Sequence, residues 1–194
     1  YLITSVIIQG TVKKIGEYAF SDCSNLSTIS FPDSLTNIAP RAFSGCEKLD
    51  NINLPSGVTS IAEGTFYRCT SLKNIELPNG VVIIHPNAFS DCRSLTEFTL
   101  PESVRIIGDG AFCSCSKLTA FYVPESNRFF SAVDGVLYNK KKTTLICCPA
   151  GKTEFPAIES SVTRIGNYAF FGCCKWEWET RLLIPENVTS IGDH

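Results

Sequence analysis

The stretch "GEYAFSDCSNLSTISFP" (Gly16–Pro32) is restated 23 residues later as "APRAFSGCEKLDNINLP" (Ala39–Pro55). Phe20, Phe43, Phe66, Phe89 and Phe112 keep the same spacing without exception. A fixed period of this length is the mark of a chain built by stacking one small unit, and every later inference depends on it.

Other columns hold the same register. Leu26, Leu49, Leu72, Leu95 and Leu118 form one, and Ile29, Ile52, Ile75, Phe98 and Phe121 a second. Phe31, Leu54, Leu77, Leu100 and Val123 form a third, each followed by proline. Val12, Leu35, Val58, Val81 and Val104 precede Ile15, Ile38, Ile61, Ile84 and Ile107 by three residues. Ala19, Ala42, Ala88 and Ala111 stand before the phenylalanines, with Thr65 in the remaining turn, and Cys23, Cys46, Cys69, Cys92 and Cys115 complete the unit.

A unit this short cannot enclose a core, but stacked copies share one. In "LSTISF" (Leu26–Phe31) apolar Ile29 and Phe31 alternate with polar Thr28 and Ser30, which predicts a strand with one buried face. The proline then stops the ladder. A second apolar stretch such as "VTSIAEGTF" (Val58–Phe66) supplies the opposite wall. At the roughly 4.8 Å spacing of paired strands, the five regular turns make a slab about 20 Å long.

Composition narrows the function classes. With 194 residues, 44% hydrophobic content and a formal net charge of −2, the chain has the apolar content of a globular protein and no basic surplus for nucleic acid. No run of 18 apolar residues reads as a membrane span. The opening "YLITSVIIQG" reads as half a repeat, because Ile3, Val6 and Ile8 stand 23 residues before Leu26, Ile29 and Phe31. The closing "NVTSIGDH" stops where another Ala-Phe unit is due, and methionine is absent. The chain therefore reads as a single solenoid, residues 1–194, cut from a longer protein.

The pattern Leu-x-x-Ile-x-Leu-Pro, Val-x-x-Ile-Gly, Ala-Phe-x-x-Cys-x-x-Leu resembles the leucine-rich repeats of the BspA type, also called the Treponema pallidum type. The likeness covers residues 1–124 and resumes from about 155 to 192. It implies a right-handed β-rich solenoid with a concave parallel sheet, of the kind found in surface and secreted proteins of bacteria and some parasitic protists. Several members are adhesins for host matrix or plasma proteins, or mediate aggregation between microbes, and the family shares no catalytic residues. A cell-surface or secreted setting is the expectation, with a cytoplasmic one as the alternative.

Residues 125–161 depart from the repeat, and regular turns are expected again over 162–194. The run "AVDGVLYNKKKTTLICCP" predicts a β-hairpin, Gly135–Tyr138 and Thr143–Cys147, joined over Asn139–Lys142. Inserts with a similar Asp-Gly-Val-Leu-Tyr run occur in the family that the repeats resemble. Lys140, Lys141 and Lys142 read either as an anionic contact point or as a solvated tip that discourages edge pairing.

Ten cysteines raise the question of disulfides or metal. The column Cys23, Cys46, Cys69, Cys92 and Cys115 has no natural pairing, and cysteine is compact and readily buried, so a reduced packing ladder is expected. Cys113, Cys147, Cys148 and Cys174 lie off the column, and Cys173 resumes it. Zinc sites favour cysteine pairs with two to four residues between them, whereas Cys113 and Cys115 have one between them and Cys147–Cys148 and Cys173–Cys174 are adjacent, so no metal ligands are expected. The thiol count leaves the compartment open.

Nor do the residues assemble a catalytic group or a cofactor site. His85 and His194 are the only histidines, and His85 takes the position of Gly16, Ala39, Ala62 and Gly108, which suggests an exposed turn. Glu76 and Glu97 are expected near one another on an open sheet, where two carboxylates without a pocket make a poor acid–base pair. No enzyme is expected.

What varies from turn to turn is the outward side of the first strand: Thr28, Asn51, Asn74, Glu97 and Ala120, beside Ser30, Asn53, Glu76, Thr99 and Tyr122. From these, Asn51, Asn53, Asn74, Glu76, Glu97, Thr99 and Tyr122 are the candidate ligand-binding residues for a protein or glycan, with Tyr122 as anchor. The competing readings are a merely solvated sheet, a spacer or stalk of a larger surface protein, and an intracellular protein-interaction scaffold. Trp176 and Trp178 read as an aromatic patch or as a core plug. Asn25 and Asn187 head Asn-x-Ser/Thr sequons.

Overall fold

The computed structural model describes residues 2–154, 157–173 and 181–194; Cys174, Trp176 and Trp178 lie outside them. Each turn contributes one three-residue strand and one two-residue strand. In chain order these are β1 (Ser5–Ile7), β2 (Lys14–Ile15), β3 (Thr28–Ser30), β4 (Asn37–Ile38), β5 (Asn51–Asn53), β6 (Ser60–Ile61), β7 (Asn74–Glu76), β8 (Ile83–Ile84), β9 (Glu97–Thr99), β10 (Ile106–Ile107) and β11 (Ala120–Tyr122). Pairing is parallel and in repeat register: Val6 lies beside Ile29, Ile52 beside Ile75, Phe98 beside Phe121, and Ile61 beside Ile84 beside Ile107. The chain is a parallel β-solenoid, with no helix among the described residues.

The inward columns fill the coil. Leu26, Leu49, Leu72, Leu95 and Leu118 are fully buried, as are Leu35, Val58, Val81 and Val104. The phenylalanines form a continuous pile, with ring centroids 5.4 Å apart for Phe20–Phe43, 5.8 Å for Phe43–Phe66, and 5.5 Å for both Phe66–Phe89 and Phe89–Phe112. Thr65, in the alanine column, is buried and keeps its hydroxyl satisfied on Ala62 O at 2.9 Å.

The cysteine column does more than fill a bend. Cys46, Cys69, Cys92 and Cys115 each donate through Sγ to the carbonyl of Phe20, Phe43, Phe66 and Phe89 in the turn before, all at 3.2 Å. Burial pushes the Cys46 thiol up to about 12 and those of Cys69, Cys92 and Cys115 well above the ordinary value. The same bend uses two left-handed residues per turn. One column is Tyr18, Arg41, Gly64, Asn87 and Gly110, with φ between 55° and 66°, and the other is Asp22, Gly45, Arg68, Asp91 and Ser114. Glycine adopts this conformation without steric penalty, while a residue such as Arg41 pays about 1–2 kcal/mol.

The insertion carries β12 (Phe130–Val133), β13 (Val136–Asn139) and β14 (Thr144–Cys147), and β15 (Arg164–Ile165) and β16 (Ser190–Ile191) follow. The hairpin expected from sequence is present within a residue at each end, and β12 is an additional strand. β12–β13 and β13–β14 pair antiparallel, then β14–β15 and β15–β16 pair parallel, so β14 rejoins the solenoid wall. Asn139 fixes the hairpin tip: its Oδ1 accepts from Thr143 N at 2.8 Å and Thr144 N at 3.0 Å, bridging the four-residue connection. At that tip, Lys140 donates to Glu125 O at 2.9 Å and Lys142 pairs with Glu159 at 3.8 Å.

One buried side chain anchors the start of the insertion. Asn127 is fully buried; its Nδ2 donates to Pro101 O at 3.0 Å and Val104 O at 3.1 Å, and its Oδ1 accepts from Phe129 N at 2.8 Å and Phe130 N at 2.9 Å. All four bonding positions of the amide are thereby used.

Candidate functional site

The three-residue strands set out the site. Within each, the central residue points into the core and its neighbours point out: Ile52 and Ile75 are buried, while Asn51, Asn53, Asn74 and Glu76 are exposed. Register places Asn51 beside Asn74, Asn53 beside Glu76, Glu97 beside Ala120 and Thr99 beside Tyr122. All seven candidate residues thus lie exposed on β5, β7, β9 and β11.

Two features tie Asn74, Glu76, Glu97, Thr99 and Tyr122 together and leave Asn51 and Asn53 outside. Asn74, Glu76, Asn79, Glu97 and Thr99 line a shallow groove of ≈ 400 Å³ floored by Ile75. Tyr122, half exposed at 50%, donates its hydroxyl to Glu97 Oε1 at 3.3 Å, so its ring is held against the neighbouring strand. The Glu97 charge and this bond push the phenol up. Asn79 was missed by the sequence reading because it follows Pro78, in the column Asp33, Ser56, Asn79, Glu102 and Glu125, and strand alternation says nothing about that position.

The insertion bounds the face. Phe121 N donates to Gly135 O at 2.9 Å, and Gly135, at φ 77°, lies directly on Ala120; a β-carbon there would come within 2.9 Å of it. Ala120 is half-buried as a result, whereas the other nine outward residues from Thr28 to Tyr122 are exposed. His85 is also half-buried, where an exposed turn was expected. No His/Cys/Asp/Glu group able to hold a metal ion, and no helix long and apolar enough to cross a membrane, occurs among the described residues.

A family profile, that of the BspA type leucine rich repeat region, matches in six copies over residues 2–119, 39–155 and 146–194. The chain belongs to the BspA-type leucine-rich repeat family. Among solved structures it resembles a leucine rich cell surface protein from Faecalibacterium prausnitzii, with 38% identity over 93% of this chain and 47% of that one, and a TM-score of 0.81. The pneumococcal vaccine antigen PcpA aligns over 98% of this chain and 47% of its own, with 28% identity and a TM-score of 0.81. The leucine rich repeat protein of T. pallidum aligns over 98% of this chain and 70% of its own, with 26% identity and a TM-score of 0.62. The chain thus spans about half the length of the first two structures, and no curated protein matches it.

Proposed function

We propose that this BspA-type solenoid is a non-catalytic recognition module of a cell-surface or secreted protein, binding a protein or glycan through the concave sheet face formed by the outward residues of β3, β5, β7, β9 and β11. The observation that carries the reading is the contrast between the two sides of each strand. Inward residues repeat from turn to turn, while exposed Asn, Glu, Thr and Tyr side chains change on a backbone held by neighbouring strands. Recognition on such a face requires little ordering of the protein, and that favours affinity. The likeness to a protein described as a leucine rich cell surface protein supports the location, and the likeness to a vaccine antigen agrees with it.

The test is a binding screen against matrix proteins, plasma proteins and a glycan array, repeated with Asn74, Glu76, Glu97 and Tyr122 changed together to alanine. No inward column is touched, so the fold is kept. Affinity for the captured ligand is expected to fall at least about tenfold, or 1.4 kcal/mol, with Tyr122 contributing most. The control changes Lys140, Lys141 and Lys142 to alanine. If the lysine set abolishes binding and the face set does not, the face is only a support and the reading fails.

A further inference from the structure

In the turn that carries the insertion, Cys148 stands where the regular turns place phenylalanine. Phe66 N donates to Ala88 O at 2.9 Å, Phe89 N to Ala111 O at 2.8 Å, and Cys148 N to Ala169 O at 2.7 Å. Cys173 is the column cysteine of the following turn. Its Sγ lies 3.5 Å from Cys148 O, just as Cys115 Sγ lies 3.2 Å from Phe89 O. Where every regular turn sets a thiol against the backbone of a phenylalanine, this one sets a thiol against the backbone of another cysteine.

We infer that Cys148 and Cys173 are an oxidisable pair that closes to an intramolecular disulfide, tying the end of the insertion to the turn beyond it. Both belong to one small apolar cluster with Val136, Tyr138, Leu145, Val162 and Ile165, Cys148 buried within it and Cys173 at its margin. The margin position gives a reagent access to one sulfur, and the buried position protects the product from reduction.

Cys148 is also set apart electrostatically from the deeply buried thiols. The Cys173 side chain hydrogen-bonds the Cys148 thiol, and this, with the nearby Lys152 ammonium, draws Cys148 below the ordinary thiol value against the opposing effect of burial. Cys46, Cys69, Cys92, Cys113, Cys115 and Cys147 are all shifted the other way, by burial first. A thiolate is the attacking species in exchange, so this pair reacts first.

The oxidant is a disulfide R–S–S–R. One thiol of the pair, after losing its proton, attacks it, giving a mixed disulfide and releasing R–S⁻. The second thiol, also deprotonated, attacks the protein sulfur of that mixed disulfide and releases the second R–S⁻. Two protons leave the protein, and its two electrons reside on the two R–S⁻ products. The bridge joins residues 25 apart, which restricts the unfolded chain. The pair lies off the recognition face and acts independently of whatever that face binds.

The experiment incubates the native chain, without denaturant, with excess oxidised glutathione, blocks remaining thiols with N-ethylmaleimide, and maps peptides without reduction. The expected product is one near-stoichiometric Cys148–Cys173 bridge. Apparent Tm should rise by about 5–10 °C and return on adding dithiothreitol. Cys148→Ser and Cys173→Ser should each abolish the bridge and the shift, while Cys147→Ser keeps both. A bridge from Cys173 to Cys174, a mixed disulfide that never resolves, or no bridge in the wild-type chain would overturn the inference. The wild-type map decides the matter even if a serine variant fails to fold.

Discussion

Replacing Phe66 by alanine removes the middle ring of the pile, and the cost is expected to be about 3–5 kcal/mol, the range for large aromatic truncations in packed cores. Phe66 is fully buried, and its ring stacks on Phe43 at 5.8 Å and 7° and on Phe89 at 5.5 Å and 14°. Strand ladders fix the turn spacing on both sides, so neighbouring rings cannot collapse into the gap. Phe20 has the same repeat position but a different situation: it is half-buried and stacks on one phenylalanine of its column, Phe43 at 5.4 Å. Phe20→Ala should therefore cost roughly half as much, about 1.5–2.5 kcal/mol. Urea denaturation followed by circular dichroism reads both, and hydrogen exchange locates the damage, which should be greatest in the turns flanking residue 66 because solenoid turns contact only their neighbours. A loss below about 1 kcal/mol for Phe66→Ala, or a larger loss for Phe20→Ala, would refute the shared-core account.

Two further outcomes follow from buried polar groups. Asn127→Ala removes the side-chain acceptor of Phe129 N and Phe130 N and the donor to Pro101 O and Val104 O, and a loss of about 2–4 kcal/mol is expected from urea denaturation; an unchanged midpoint would mean that the amide is not an anchor. The raised thiols of Cys46, Cys69, Cys92, Cys113, Cys115 and Cys147 hold their protons in the folded chain at a pH where the unfolded chain has lost them. Their contribution is complete below about pH 8.5 and is lost progressively as pH rises above it, so the reduced protein's urea midpoint should fall between pH 9 and 10, and less steeply in Cys69→Ser. A flat midpoint over that range would contradict the buried-thiol ladder.

The repeat made the inward residues legible before any coordinates, since a column that stays apolar through five turns must face the same interior. Ile29, Ile52, Ile75, Phe98 and Phe121 are all buried as their period requires. Three things escaped because they depend on neighbours distant in sequence or on a single turn. The bend conformation of Tyr18 and Arg41 is hidden by their identity, although Gly64, Asn87 and Gly110 in the same column point to it. β12 lacks alternation strong enough to separate it from the loop before it. Asn127 looks like an ordinary loop residue until Pro101 and Val104, in the preceding turn, are brought over it.

The thiol ladder also bears on where such a chain can reside. Ten cysteines without a pairing pattern invite the inference of a reducing compartment, because exposed thiols oxidise outside the cell. That inference requires the thiols to be reachable and ionised. Cys46, Cys69, Cys92 and Cys115 are neither, each being buried, bonded to a carbonyl and shifted away from thiolate. Their sulfurs occupy a hydrogen-bonding role that oxidation would break, so retaining reduced thiols costs the fold nothing in an oxidising medium. The thiols of this ladder therefore carry no weight for an intracellular scaffold over a surface module, and the choice between them rests on what the exposed face between Thr28 and Tyr122 binds.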